Sequence, residues 1–221
     1  MKILAVSDRV MDNLYHSDVR RSYNDVDLMI GCGDLPYYYL NFLASAMDAP
    51  MVYVLGNHDG GDQHTSDGRI LTTVQGGANI HARTIREKGL IIAGLEGSMR
   101  YRPHAPLMYS EREMQQQVAR LIPRLLWNKQ RYGRYLDVLV THSPPFGIHD
   151  RQDVPHTGFK VLLSFMKTFR PRYLLHGHIH IYRNDVPRET QFEDTTVINV
   201  YPYRVIDCEC GVESGKQASG K

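Results

Sequence analysis

Five short apolar runs in this chain each end, within a few residues, on side chains that ligate metals or carry protons. Residues 51–55 stop at Gly56 and deliver Asn57, His58 and Asp59 in succession. Residues 3–6 lead into Ser7-Asp8, and residues 26–30 into Gly31-Cys32-Gly33-Asp34. Residues 138–140 reach Thr141-His142-Ser143, and residues 173–175 reach His176-Gly177-His178-Ile179-His180. Runs this short, apolar and β-branched read as strands covered on both faces, in a parallel or mixed sheet with helices over it. Open α/β sheets place ligands beyond the carboxyl ends of their strands. A turn accounts for Asp59-Gly60 taken alone, because both residues are turn formers, but it does not account for five such ends. Carboxylate and amide oxygens mixed with imidazoles, with no thiolate among them, suit Mn, Fe or Zn at a hydrolytic centre.

In order, Asp8, Gly33-Asp34, Gly56-Asn57-His58-Asp59, His142 and Gly177-His178-Ile179-His180 resemble the calcineurin-like metallophosphoesterases, whose pattern runs D-x-H, G-D, G-N-H-[DE], H and G-H-x-H. The resemblance implies an α/β fold, a two-sheet β-sandwich flanked by helices in four α/β/β/α layers. It also implies roles. Asp34 would bridge two metal ions, Asp8 and His180 would complete the first, and Asn57, His142 and His178 the second. His58 would be a non-ligand histidine that binds phosphate and protonates the leaving group, with Asp59 orienting its imidazole. One position departs from the pattern: Val10 stands where the family has its first histidine, and valine cannot bind a metal. The first metal should therefore bind more weakly unless Arg9 or a folded-back His16 compensates.

Length and composition agree with an enzyme-sized single unit. The 221 residues suit one domain, expected over 1–210, with a small, polar and disordered tail at 211–221. With 26 basic against 24 acidic residues and no long like-charge block, strong nucleic-acid binding is not expected. Three cysteines, Cys32, Cys208 and Cys210, lack a Cys-x-x-Cys spacing and fit a reduced, cytoplasmic protein. The chain enters its first strand within two residues of Met1, leaving no room for a signal sequence, and no apolar run approaches the roughly 20 residues that span a bilayer.

Between the strands, residues 18–24 read as a weak helix. Pro36 opens a second with apolar positions Tyr39, Leu40, Leu43 and Met47, and Tyr37, Tyr38 and Tyr39 are candidates for a substrate wall. Residues 60–77 and 96–109 read as loops, the latter bringing Arg100 and Arg102 as possible phosphate contacts. Residues 80–85 and 90–95 read as a hairpin around Arg86-Glu87-Lys88-Gly89. Ser110-Glu111-Arg112-Glu113 is a capping box, and the helix it starts should kink or divide at Pro123. A loop at 144–156 carries His149, Asp150 and His156, which with His176 belong to the rim or the framework. A helix through Phe159, Leu162, Leu163, Met166 and Phe169 follows, and 195–200 and 203–208 read as closing strands of a second sheet.

The reading that unites these features is hydrolysis of a small phosphate ester, mono- or diester, with one or two divalent ions per chain. The rival is a non-catalytic metal-binding scaffold on the same fold, which Val10 favours and the retention of His58 opposes.

Overall fold

Alternation along each strand assigns the layers. In the computed structural model, which describes residues 1–65, 68–183 and 185–208, strand β1 (Lys2–Val6) sends Ile3 and Ala5 to one face and Leu4 and Val6 to the other, all buried. The same division recurs in β2 (Leu28–Cys32) and β3 (Met51–Val54). Both faces are apolar because both are covered, which is the sequence signature of parallel strands under helices.

The next elements are β4 (Gly77–Asn79), β5 (Thr84–Glu87), β6 (Leu90–Leu95), β7 (Val138–Thr141), β8 (Tyr173–His176), β9 (Glu189–Phe192), β10 (Thr195–Asn199) and β11 (Tyr203–Asp207). They build a five-stranded sheet of order β11-β1-β2-β3-β4 and a six-stranded sheet of order β9-β10-β8-β7-β6-β5. Only the outer strands β11, β5 and β9 run antiparallel to their neighbours. Ile3, Ile30, Val52 and Val54 of the first sheet meet Ile92, Val138, Val140 and Leu175 of the second in the middle layer, where Cys32 and Cys208 also lie buried. Helix α1 (Tyr37–Ala46) covers the outer face of the first sheet, and α2 (Glu111–Tyr132) and α3 (Lys160–Phe169) cover that of the second. Each fully buried Val, Leu or Ile contributes on the order of 1.5–3 kcal/mol. This is the four-layer α/β/β/α sandwich.

Several local expectations change. The two closing strands separate: β10 lies in the second sheet, while β11 crosses beyond Pro202 to pair with β1 in the first. Helix α2 runs undivided through Pro123, because that residue and Ala119, whose carbonyl loses its partner, both face solvent. The capping box forms as read, with Ser110 Oγ accepting from the Glu113 amide at 3.3 Å and Glu113 accepting from the Ser110 amide at 2.7 Å. The weak first helix is one turn, Val19–Ser22. The β5–β6 hairpin turns at Lys88 and Gly89, both at positive φ (48° and 85°). Within the expected loops, Gln63–His64 pairs with Ile70–Leu71, and Ser98–Met99 with Met108–Tyr109. Among the described residues no helix is long and apolar enough to cross a membrane. The expected tail at 211–221 and Cys210 lie outside the described residues.

Candidate metal centre

The carboxyl ends of β1, β2 and β3 from one sheet and of β7 and β8 from the other arrive at a single edge of the sandwich. Backbone bonds stitch them together: the Asp8 amide donates to the Gly33 carbonyl at 3.1 Å and the Gly177 amide to the His142 carbonyl at 3.1 Å. Asp8, Asp34 and His178 all sit in the left-handed region, at φ 62°, 55° and 66°. Such conformations are uncommon for non-glycine residues and cost of order 1 kcal/mol or more each, so the surrounding contacts must hold them. Glycines make the approach possible. A Cβ on Gly56 would lie 2.1 Å from Asp34 Oδ1, and one on Gly177 would lie 1.7 Å from Ser7 Oγ.

Four donors converge where those ends meet. His142 Nε2 lies 3.3 Å from Asp34 Oδ2, 3.1 Å from Asn57 Oδ1 and 3.1 Å from His178 Nδ1. Ligand atoms bonded to one divalent ion at ~2.0–2.1 Å stand about 2.8–3.4 Å apart across octahedral and tetrahedral geometries, so these separations fit a metal ion. The remaining nitrogens fix the tautomers. His142 Nδ1–H donates to the Cys32 carbonyl at 2.8 Å and His178 Nε2–H to the Pro155 carbonyl at 2.8 Å, which leaves each lone pair aimed at the common point. Asn57 is held the same way, its amide nitrogen donating to Tyr101 Oη at 3.3 Å so that Oδ1 turns inward. Burial opposes charge on both members of the Asp34–His142 pair, but each overcomes it in the other. Until an ion displaces the proton on His142 Nε2, the carboxylate pushes the imidazole up to about 10, and that imidazolium holds the carboxyl well below its usual range. Burial, and then the His142 charge, push His178 down to about 4.

Asp8 and His180 form a looser pair, with Asp8 Oδ1 3.4 Å from His180 Nε2. Asp8 Oδ2 accepts from Ser7 Oγ and from the His178 amide, the latter at 2.9 Å. His180 is half-exposed, stacks on Tyr201 with centroids 4.5 Å apart, and bonds Tyr182 Oη through Nδ1 at 3.1 Å. Val10 packs against the apolar layer beneath α1. His16 does not fold back: it is exposed and its Nδ1 accepts from the Asp18 amide at 3.2 Å. Arg9 bonds the Tyr201 hydroxyl.

His58 is exposed and, with Asp8, Asp34, His156, His178 and His180, lines a cavity of about 280 Å³; its own amide donates to Asp34 Oδ1 at 2.7 Å. Asp59, expected to orient the His58 imidazole, is engaged with the backbone of two loops. Its buried Oδ2 accepts from the Asp34 amide at 2.7 Å and the Gly56 amide at 2.8 Å, clamping the loops after β2 and β3 together. Burial pushes this carboxyl up to about 6. Tyr37 and Tyr39 are core residues and Tyr38 meets Tyr15 edge-on, so the tyrosine wall is not at the site. Arg100 is tied to the Met108 carbonyl at 2.9 Å and to Glu113 at 3.0 Å, while Arg102 lies over the Tyr101 ring. His156 belongs to the cavity, whereas His149 and His176 bond each other outside it at 3.0 Å. Sequence reasoning missed Ser7, Tyr101, Pro155 and Tyr201. Ser7 carried a signal in its adjacency to Asp8; the others act from loops whose fold brings them in.

A four-layer sandwich with this donor set at its strand ends defines a protein of the metallophosphoesterase class. The profile of the calcineurin-like phosphoesterases matches residues 1–182, and the chain belongs to that family. Its fold is shared with TT1561 of Thermus thermophilus, at 16% identity and a TM-score of 0.56 over 90% of this chain and 88% of that one. The phosphopantetheinyl hydrolase PptH of Mycobacterium tuberculosis is similar at 16% identity and a TM-score of 0.53, with the same coverage. Another solved structure, 14% identical, reaches a TM-score of 0.60 over 90% of both chains. Comparison with curated proteins gives no match.

Proposed function

We propose that this chain hydrolyses small phosphate esters, with divalent ions held by Asp34, Asn57, His142 and His178 and, more weakly, by Asp8, Asp34 and His180. The carrying observation is the convergence of the first four side chains, their tautomers fixed by backbone carbonyls, beside an exposed histidine that lines a cavity. Ions held there would supply Lewis acidity, lowering the pKa of a bound water and withdrawing charge from the phosphoryl oxygens. Asp34 would help hold ions in both sets: its Oδ2 faces His142, while the His58 amide bonded to Oδ1 fixes the orientation of the carboxylate. His58 stands over the cavity free to bind a phosphoryl oxygen and to protonate the departing alkoxide. Asp59 keeps the Asp34 and Gly56 backbones at the spacing this requires.

The test is hydrolysis of nitrophenyl phosphate mono- and diesters with added Mn, Fe or Zn, alongside metal content. Metal-dependent turnover that disappears with chelator is expected, and the ratio of mono- to diester rates assigns the subclass. Tight metal binding with no turnover of any ester would favour the non-catalytic scaffold instead.

A further inference from the structure

A second concavity, about 440 Å³, adjoins the metal centre on the side of His180. Its walls are the loop after β7, the segment following β8, and Thr190 of β9. The apolar side chains there are Ile148, Ile179, Ile181, Val186 and Pro187. His180 lines both this cleft and the smaller cavity that holds Asp8, Asp34 and His58, so the two spaces flank one imidazole.

Several polar groups in the cleft bond the protein itself. His149 bonds His176 through Nδ1 at 3.0 Å and Thr190 through Nε2 at 2.9 Å. Arg151 donates to the His180 carbonyl at 2.8 Å, and Arg183 grips Asp185 at 2.9 and 2.6 Å. An apolar ligand group would meet apolar walls there and leave water as it binds. The shape is also maintained at some cost. His149 is held at φ 60°, and the histidine that anchors it, His176, is fully buried. The volume lies within the roughly 300–1,000 Å³ range of small-molecule sites.

We infer that this cleft receives the organic group of the ester while the phosphoryl group lies in the adjoining cavity, and that the preferred substrates carry an apolar substituent of about six carbons or more. This rests on the phosphoesterase reading, and it makes His149 and His176 positioning residues for the cleft wall.

The test compares methylphosphonate with hexylphosphonate, neither of which can be hydrolysed, by calorimetric titration of the full Mn-loaded chain. Hexylphosphonate should bind on the order of 30-fold more tightly, because its added methylenes leave water. In Val186→Glu, at an exposed position that the fold should tolerate, that ratio should fall below about 5-fold. Taking the ratio cancels any general effect of the new charge on anions. If circular dichroism shows that this variant is misfolded, Ile148→Ala should lower the ratio in the same direction. Equal affinities of the two phosphonates, or a ratio unchanged in the folded variants, would overturn the inference and leave the hydrolase reading standing. No binding of either phosphonate would overturn both.

Discussion

The two halves of the candidate metal centre are built to different standards. In the Asn57–His142–His178 half, both imidazoles are buried and each spends its second nitrogen on a backbone carbonyl, while the amide is turned by Tyr101. In the Asp8–His180 half the imidazole is half-exposed and leans on two tyrosines, and the position where the family has a third ligand is Val10, packed into the apolar layer beneath α1. A ligand whose tautomer and rotamer are fixed before binding loses less entropy when the ion arrives, and outer-shell partners typically tune affinity by 10- to 100-fold. The same protein should therefore hold one ion well and a second one loosely.

Asp34 is where the halves meet, so its substitution should have the largest effect. Asp34→Asn leaves an amide that cannot offer two anionic oxygens, and it also disturbs the bond from the His58 amide. Turnover should fall to background and metal content should drop below one ion per chain by elemental analysis. Near-normal values of both would remove Asp34 from the shared position.

His58→Ala separates chemistry from metal binding. The loss expected for a missing general acid is on the order of 10²- to 10⁴-fold in kcat, with metal content unchanged. An alkyl ester should suffer more than a nitrophenyl ester, whose leaving group needs little protonation. Equal losses on both esters would reduce His58 to a phosphate-positioning role.

His180→Ala addresses the loose half directly. It should weaken the second equivalent of Mn at least tenfold in a titration while leaving the first within about threefold, since the outer-shell bonds of His142 and His178 do not involve His180. Loss of both ions together would show that the two halves act as one site.

These asymmetries show which parts of the site a sequence exposes. The convergence of the site's side chains was legible because each ends a short apolar run, and strand ends in a covered sheet are where side chains meet. The capping box at Ser110 was legible because both of its partners lie within four residues. Illegible features depend on contacts distant in sequence. Asp59 looks like a partner of its neighbour His58, yet its carboxylate reaches the amide of Asp34, 25 residues away. The two closing strands look alike in composition, but only the pairing of β11 with β1 places it in the first sheet. Pro123 looked disruptive because periodicity does not reveal which carbonyls face water.

Val10→His asks whether the weaker half lacks only a side chain. Because Val10 packs against the layer that includes Leu14 and Tyr39, the new imidazole would start out facing apolar groups. The expected change in affinity for the second ion is less than about threefold, with a lower Tm. Tightening by tenfold or more would show that the loop already has the geometry for a third ligand and that the asymmetry rests on one residue.

The smallest effect lies far from both halves and serves as their control. Ser110→Ala removes the hydroxyl that accepts from the Glu113 amide at 3.3 Å and donates to the Glu113 carboxylate at 2.7 Å, at a cost of about 1 kcal/mol, or roughly 2–4 °C in Tm for a chain of this size. Affinity for both ions should not change, since α2 contributes no donor to the centre. The effect also has a definite pH dependence. The Ser110 amide and hydroxyl, followed by Arg100, hold the Glu113 carboxyl down to about 2, below its ordinary 4.5. A depressed folded-state pKa stabilises above the unfolded value and loses that contribution as pH falls toward the folded one. The Tm difference between wild type and Ser110→Ala should therefore shrink as pH falls from about 5 to about 2, leaving the hydroxyl-to-amide bond as the remainder. A difference that stays constant across that range would mean that the carboxylate takes no part in the cap.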